Sequence, residues 1–272
     1  MLPDPLFLNV HMYGIMIAVG IFCAFLFLFW YGKYRKVEER FIDFIFYNGI
    51  ASIMLGFGSA MLFQATYNYI DDPSRGFRLG SGMTFIGGLI GGVVVFLGLY
   101  LIFRKRYNTR LYEVISALPC SILVAHAFGR IGCFFAGCCY GKPTDSFLGV
   151  QFPDLAHKVH PTQLYEAAFL FVMFGICFYL VVKKNFQHNL SLYLITYGIF
   201  RFLIEYVRGD DRGELVSIVS PSQFWSIFMV IAGVAIIFPM NYLIKKGSKV
   251  EPEAAKEIEE IEEIEEEQEV QE

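Results

Sequence analysis

The chain has 272 residues, of which 56% are hydrophobic, 17% aromatic and 18% charged, and its formal net charge is −4. A soluble domain usually carries about a quarter charged residues, so the composition excludes an ordinary soluble globular protein. The apolar runs are long and do not alternate as the strands of a membrane β-barrel do. The composition therefore predicts an all-α, polytopic membrane protein.

Seven stretches are apolar enough to cross the hydrocarbon core as helices, which takes about 20 residues. In chain order they are residues 11–31, 42–65, 83–103, 113–134, 163–182, 190–207 and 222–244. The first stretch has no basic segment before it and no small-residue cleavage site after it. We therefore expect it to remain as a helix rather than to be removed as a signal peptide.

Basic residues follow every second stretch, in the segments YGKYRKVEER, RKRYNTR, KKNFQH and KKGSK. The positive-inside rule then predicts an outer N-terminus and a cytoplasmic C-terminus. Residues 1–247 form the predicted membrane domain, and the connection 135–162 lies at its outer face. The remaining residues, 248–272, are strongly acidic and lack aromatic side chains, which predicts a disordered or marginally helical cytoplasmic tail.

Charged residues inside spanning stretches are functional candidates, because burying a charge in hydrocarbon is costly. Arg201, Glu205 and Arg208 lie in YGIFRFLIEYVR with helical spacing. One interpretation is an intrahelical ion pair that neutralises itself. The other is a phosphate site in which Glu205 orients the two arginines, since the guanidinium fork binds phosphate oxygens in pairs.

Arg130 allows two similar interpretations. Gly129 and Gly132 flank it and permit close approach of backbone or a lipid headgroup; alternatively, Arg130 extends to the outer interface.

Two further segments stand out. HPTQLYE begins the fifth stretch, with His160 outside it, Thr162 as a candidate N-cap, and Tyr165 and Glu166 in the first turn. SGMTFIGGLIGG is rich in glycine and favours close helix packing rather than phosphate binding.

Together these segments resemble the bacterial prolipoprotein diacylglyceryl transferase family. The resemblance covers residues 10–244 and rests on HMYGIMIA, GMTFIGGLIGG, GRIGCFFAGCCYGKPTD, HPTQLYE and YGIFRFLIEYVR, in this order. It implies an enzyme of the inner membrane with its active site toward the outer face. Such an enzyme transfers the diacylglyceryl group of phosphatidylglycerol to the lipobox cysteine thiol of a preprolipoprotein and releases glycerol phosphate. The partners implied are this lipid, the signal peptide and the bilayer, without nucleic acid, cofactor or metal.

The resemblance also implies a set of site residues. Arg130 and Arg201 are expected to hold the phosphate, with support from Glu205 and Arg208. The other positions expected to bind or enclose the substrates are His11, Tyr13, Gly87, Gly88, Gly129, Gly132, Cys133, Cys138, Tyr165, Glu166, Tyr197 and Gly198.

The chain departs from the family pattern at the position of a candidate base. The family usually has a histidine just before the glycine pair of the third stretch, where this chain has Ile86. Isoleucine cannot accept a proton, and the acceptor thiol must lose one to attack. The candidates to replace that histidine are His126, one helical turn before Arg130, and His160. The cysteine thiols are a third possibility if arginine lowers their pKa.

Three cysteines also depart from the pattern. Cys133 and Cys138 stand where the family signature has an asparagine and a glutamate, and Cys139 follows. Three interpretations of these cysteines stay open. They are simple substitutions in a branch of the family that keeps its activity, or Cys133 and Cys138 form a disulfide on an oxidising outer face. In the third interpretation the cysteines form a metal or redox site that a histidine completes. Two other functions stay open: a related transferase with another acceptor, and a non-enzymatic thiol- or metal-binding membrane protein. The other cysteines, Cys23, Cys120 and Cys177, are interpreted as packing residues.

Overall fold

The computed structural model describes residues 11–109, 111–153, 155–209 and 220–269, without the side chains of residues 75, 85, 112, 113 and 246–269. The helices in these ranges are α1 (Met12–Tyr34), α2 (Glu39–Asp71), α3 (Phe85–Phe103), α4 (Leu111–Ile115), α5 (Leu118–Phe135), α6 (Thr162–Lys183), α7 (Asn189–Ile204) and α8 (Pro221–Glu269). Short 3-10 turns cover Pro73–Arg75 and Arg104–Arg106. In the connection between α5 and α6, strand β1 (Val150–Gln151) pairs antiparallel with β2 (Lys158–Val159).

Six of the described helices, α1, α2, α3, α5, α6 and α8, are long and apolar enough to cross a membrane. The remaining predicted span, residues 190–207, corresponds to α7, which has 16 residues and is shorter than the others. The prediction of an all-α, polytopic membrane protein is confirmed. The orientation of the termini stays a prediction.

The fourth predicted stretch, residues 113–134, is divided into α4 and α5 rather than being one helix. Pro119 lies in the first turn of α5 and has no N–H to donate to the preceding turn. The amide of Cys120 donates to Ala117 at 3.0 Å, which leaves the Ser116 carbonyl without its usual helical donor. The buried side chain of Asn189 donates to that carbonyl at 3.1 Å, so the break is stabilised from α7.

The chain is divided into two compact units. The first contains residues 1–24 and 112–272. Within it α5 packs on α6, α6 on α7, and α7 on α8. The first half of α1 also belongs to this unit. The Ser121 hydroxyl donates to the Ala24 carbonyl at 3.0 Å, and a Cβ added at Gly20 would lie 2.9 Å from the Ala125 carbonyl oxygen. Glycine therefore lets α1 approach the backbone of α5.

The second unit contains residues 25–111, in which α2 packs on α3. Small residues form their interface: a Cβ added at Gly88 would lie 3.3 Å from the Ala60 side chain, and one at Gly91 would overlap Ser59. The Ser59 hydroxyl donates to the Gly87 carbonyl at 2.8 Å. The packing role predicted for the glycine-rich segment is confirmed, and Gly87 and Gly88 lie inside helix α3 rather than at a turn.

The acidic tail follows the last apolar span without a break in the helix. The backbone of α8 is helical from Pro221 to Glu269, whereas its apolar span covers Pro221–Lys245. The predicted boundary after residue 247 and the disorder predicted for the tail stay predictions, since its side chains lie outside the described residues.

Candidate functional site

A buried carboxylate, Glu166, connects three helices of the first unit. Its residue on α6 has 0% exposure. Its Oε1 atom lies 2.9 Å from Nε of Arg130 on α5 and accepts a hydrogen bond of 2.7 Å from the Tyr197 hydroxyl on α7. A buried carboxylate is tolerated when a cation and hydrogen-bond donors compensate its lost hydration. These contacts therefore fix the relative positions of α5, α6 and α7.

His126 completes this group, which we call the Glu166 cluster: His126, Arg130, Glu166 and Tyr197. Its Nε2 atom lies 3.6 Å from Glu166 Oε1 and 3.5 Å from the Tyr197 hydroxyl. The imidazole and phenol rings meet edge to face, with centroids 5.0 Å apart. The second carboxylate oxygen of Glu166 accepts no hydrogen bond from the described residues. Sequence spacing placed His126 one turn before Arg130, but it did not indicate that Glu166 lies beside both.

Arg201, Glu205, Arg208 and Ser220 form the second group, which we call the Glu205 cluster. Glu205 Oε2 lies 3.0 Å from Nη1 of Arg201 and 3.8 Å from Nε of Arg208. Both arginines are buried, with 7% and 5% exposure. The helical spacing in YGIFRFLIEYVR therefore correctly predicted that Glu205 contacts both arginines.

Two serines at the start of α8 were missed as partners of this cluster. The Ser220 hydroxyl donates to Glu205 Oε1 at 3.0 Å, and Arg201 Nη2 donates to the Ser222 hydroxyl at 2.8 Å. Ser220 also accepts from the Gln223 amide, while the Gln223 side chain accepts from the Ser220 amide. This reciprocal pair is a capping box with Pro221 at the first helical position. The segment SPSQ was the sequence signal for it.

Helix α7 carries residues of both clusters on one face. Tyr197 and Arg201 are four residues apart and lie one turn from each other. Tyr197 donates to Glu166, whereas Arg201 pairs with Glu205. Arg201 also interacts electrostatically with Glu166. The two predicted phosphate-binding arginines therefore belong to adjoining parts of one buried polar region.

The three cysteines after Arg130 form a thiol cluster, defined as Cys133, Cys138 and Cys139. Their sulfur atoms all lie within 4.8 Å of one another. Cys133 and Cys138 are not joined by a disulfide, so the disulfide considered between them is absent from this structure. The Cys138 thiol points toward the Cys133 carbonyl at 3.6 Å. The three sulfur atoms, each a potential metal ligand, therefore lie close together, which the spacing of the cysteines in the sequence did not predict.

The thiols of this cluster differ in acidity. Hydrogen bonds from Cys133 and Cys138, together with the positive charge of Arg208, hold the pKa of Cys139 below its usual range. The same hydrogen-bonded arrangement and burial raise the pKa of Cys138. Since the thiolate is the reactive form, Cys139 is the more reactive thiol of this pair.

The beginning of α6 holds the loop that carries two of these cysteines. The Thr162 hydroxyl donates to the Cys139 carbonyl at 2.8 Å, and the Gln163 side chain donates to the Cys138 carbonyl. The prediction that Thr162 is an N-cap is wrong: Thr162 is the first helical residue, and Pro161 is the cap. The hydroxyl of Thr162 is directed to the cysteine loop instead.

His160 directly follows strand β2 and contacts Tyr165. Its Nδ1 atom is 3.2 Å from the Tyr165 hydroxyl, and its backbone pairs with Gly141 and Lys142. The structure thus brings the two predicted histidines to different places: His126 joins the Glu166 cluster, and His160 pairs with Tyr165.

The remaining predicted positions have separate surroundings. A Cβ added at Gly132 would lie 3.1 Å from the Tyr13 ring, and one at Gly198 would lie 2.9 Å from the Ser226 carbonyl. These glycines permit α1 to approach α5 and α7 to approach α8. Gly129 faces open space, and His11 is exposed just before α1. Gly87 and Gly88 belong to the second unit, so their part in the site stays a prediction.

Comparison with known proteins identifies the family to which the chain belongs. Residues 5–239 match the family described as prolipoprotein diacylglyceryl transferase. The chain belongs to this family. It is 38% identical over 234 residues to the phosphatidylglycerol--prolipoprotein diacylglyceryl transferase of Clostridium tetani, covering 84% of this chain and 92% of that protein. It is 36% identical over 254 residues to the protein of Clostridium perfringens named phosphatidylglycerol--prolipoprotein diacylglyceryl transferase 2. This match covers 89% of this chain and 94% of that protein.

A more distant relative extends the comparison. The phosphatidylglycerol--prolipoprotein diacylglyceryl transferase of a Marinomonas species is 33% identical over 245 residues, with coverage of 85% of this chain and 88% of that protein. The family resemblance predicted from the ordered motifs is therefore confirmed, and the matched region includes both ion-pair clusters and the thiol cluster.

Proposed function

We propose that this protein transfers the diacylglyceryl group of phosphatidylglycerol to the lipobox cysteine thiol of preprolipoproteins. Family membership and the names of the relatives support the reaction. The structural observation that carries the proposal is the pair of arginines in adjoining clusters, the half-buried Arg130 and the buried Arg201, on two helices of an apolar protein. A lipid phosphodiester that enters from the bilayer meets a cationic group there.

Arg130 and Arg201 hold the phosphate in this proposal. Each arginine is paired with one carboxylate in the structure, but a guanidinium has five N–H donors, so one carboxylate does not exhaust them. Charge-assisted hydrogen bonds from these donors stabilise the negative charge that develops on the departing phosphate. Glu166 and Glu205 keep both guanidinium groups oriented toward it.

The transfer itself is a substitution at carbon. The acceptor sulfur, as thiolate, attacks the glyceryl carbon that carries the phosphoester; a C–S bond forms, the C–O bond breaks, and its electron pair leaves with glycerol phosphate. His126 is our first candidate to receive the thiol proton, because it lies beside Arg130 and Tyr197. His160, paired with Tyr165, is the second.

We place the protein in the bacterial inner membrane with the site toward the outer face. The support is the basic residues between alternate spans, which the positive-inside rule assigns to the cytoplasm. Cys138 is the exposed member of the thiol cluster. A membrane-impermeant maleimide added to intact protoplasts is expected to label the wild-type protein and not the triple variant with Cys133→Ser, Cys138→Ser and Cys139→Ser. Labelling that requires permeabilised protoplasts would reverse the orientation.

The function is tested in a strain depleted of its own diacylglyceryl transferase. Expression of this chain is expected to add the mass of a diacylglyceryl group to the lipobox cysteine of a reporter preprolipoprotein. Arg130→Gln and Arg201→Gln are each expected to abolish the increment. Arg35→Gln serves as the matched control, since Arg35 is an exposed arginine in the turn after α1. No increment with wild-type protein present in the membrane would refute the proposal.

The two candidate bases are separated by single and double substitutions. His126→Ala is expected to reduce the transfer rate by about 100-fold or more, the usual contribution of a general base, and His160→Ala to have a smaller effect. Full activity in both variants and in the double variant would exclude both histidines as the base.

A further inference from the structure

The thiol cluster has the donor set of a metal site. Sulfur atoms of Cys133, Cys138 and Cys139 all lie within 4.8 Å of one another. Three thiolates around one zinc ion, each at about 2.3 Å, are about 4 Å apart. The cluster therefore needs small side-chain adjustments to close around such an ion. A disulfide would use two of the three sulfurs and leave the third unexplained.

The backbone is shaped to bring two consecutive cysteines toward a third. Gly137 and Cys139 both have left-handed backbone conformations, with φ of 70° and 65°. The second is unusual for a residue with a side chain and is found where the surrounding structure imposes it. Here Thr162 and Gln163, both almost completely buried, hold the carbonyls of the two cysteines. The convergence of the sulfurs thus depends on a fixed loop rather than on chance contacts.

We propose that Cys133, Cys138 and Cys139 bind Zn²⁺ and that its fourth coordination position receives the acceptor thiol of the preprolipoprotein. Zinc with three protein ligands and one open position is the arrangement that acts in catalysis, whereas four-ligand sites are structural. Cys138 is exposed, so the cluster is open on one side. This inference rests on the proposed function, because the acceptor it names is the lipobox cysteine.

The metal supplies the deprotonated nucleophile. A thiol that coordinates Zn²⁺ loses its proton, which passes to the general base of the proposed function, so the metal and that base act on the same proton. The zinc-bound sulfur then attacks the glyceryl carbon with its lone pair; the C–S bond forms, the C–O bond breaks, and the electron pair leaves on glycerol phosphate. Nothing is oxidised or reduced. The product is a neutral thioether, which is a weaker zinc ligand than a thiolate. It therefore dissociates from the metal and frees the fourth coordination position.

The location of the cluster suits this role. Cys133 follows Arg130 by three residues on α5, so both side chains lie on the same helical face. Arg130 interacts electrostatically with Cys133 and Cys139, and Arg208 forms a hydrogen bond with Cys139. A nucleophile bound by the thiol cluster therefore lies beside one proposed phosphate ligand, and Arg208 connects it to the Glu205 cluster. The arginines also balance the net negative charge of three thiolates and one Zn²⁺.

Metal binding is tested on the full-length protein in detergent. Zn²⁺ is expected to bind at one ion per chain, and Cd²⁺ to displace it and give a thiolate charge-transfer band. Cys133→Ser, Cys138→Ser and Cys139→Ser are each expected to lose most of the band. Cys23→Ser is the control, since Cys23 on α1 is half-buried and lies outside the cluster. Equal bands in all four variants would overturn the site.

The fourth position is tested with the Cd²⁺-loaded wild-type protein, which avoids variants that fold poorly. A peptide with a lipobox cysteine is expected to strengthen the charge-transfer band as a fourth sulfur binds. The same peptide with serine in place of that cysteine is expected to leave the band unchanged. A metal with a purely structural role would give equal spectra with both peptides, which would overturn the proposal for the acceptor.

Transfer activity then distinguishes this inference from the proposed function. Removing Zn²⁺ with a chelator is expected to lower the transfer rate by about 100-fold or more, on the scale of general-base catalysis, and adding Zn²⁺, but not Mg²⁺, to restore it. Full activity without metal would overturn the zinc role and leave the proposed function intact. If the zinc-loaded protein transfers no lipid, the proposed function fails and the acceptor role fails with it, whatever the metal content.

Discussion

The Glu166 cluster and the Glu205 cluster solve the same problem, a buried arginine, in two different ways. Glu166 meets Arg130 and Tyr197 from other helices, at a separation of 36 and 31 residues along the chain. Glu205 meets Arg201 and Arg208 within its own segment. The first cluster therefore depends on tertiary packing, whereas the ion pairs of the second form between residues close in sequence, at the end of α7 and in the turn that follows it.

The exposure of the two carboxylates follows this difference. The Glu166 side chain has 1% exposure and that of Glu205 has 11%. A buried ion pair does not necessarily add net stability, because both ions lose their hydration, but removal of one partner leaves the other charge uncompensated. We therefore expect the stability of the protein to respond more strongly to changes in the Glu166 cluster.

The largest effect is expected from Glu166→Gln. It removes the carboxylate that pairs with the largely buried Arg130, and loss of one partner of such a pair should cost about 3–5 kcal/mol of unfolding free energy. Thermal unfolding in detergent micelles measures it. The double variant Arg130→Met with Glu166→Leu removes both charges and is expected to recover most of this loss, without recovering transfer activity. A Glu166→Gln protein as stable as wild type would contradict the idea that the carboxylate compensates Arg130.

The same comparison explains what the sequence allowed us to predict. The span positions follow from hydrophobicity, and the contacts of Glu205 follow from helical spacing. The contact between Glu166 and Arg130 follows from neither, since spacing carries no information about which helices are neighbours. The family motifs indicated that Glu166 belongs to the site. Its contact residues could be identified only once the packing of α5, α6 and α7 was known.

The break between α4 and α5 shows a second limit. Hydrophobicity continues through residues 113–134, so it predicted one span. Pro119 removes a helical hydrogen bond there, and the partner that satisfies the freed Ser116 carbonyl is Asn189, 73 residues away. Local sequence signals identify where a helix weakens, and the distant partner decides where it ends.

A smaller effect is expected from Tyr197→Phe, which removes one hydrogen bond to Glu166 and leaves the Arg130 ion pair. A hydrogen bond to a charged group contributes about 1.5–3 kcal/mol, and thermal unfolding should show a loss in this range. Tyr193→Phe is the matched control: Tyr193 stacks on Tyr197, with ring centroids 5.8 Å apart. Equal losses in both variants would mean that the loss of any buried phenol hydroxyl, rather than of the bond to Glu166, determines the effect.

The smallest effect is expected at the Glu205 cluster, from Ser220→Ala. The change removes the N-cap of α8, and loss of a cap costs about 1 kcal/mol. It also removes the hydroxyl that donates to Glu205, but the Glu205 side chain has 11% exposure and accepts from water instead, so this bond adds little. Glu205 keeps its contacts with Arg201 and Arg208, so no buried charge loses its counterion. Ser220→Thr retains the hydroxyl and is expected to unfold at the wild-type temperature. If Ser220→Ala costs as much as Glu166→Gln, the locally formed cluster depends on tertiary contacts to the same degree, and the distinction between the two clusters does not hold.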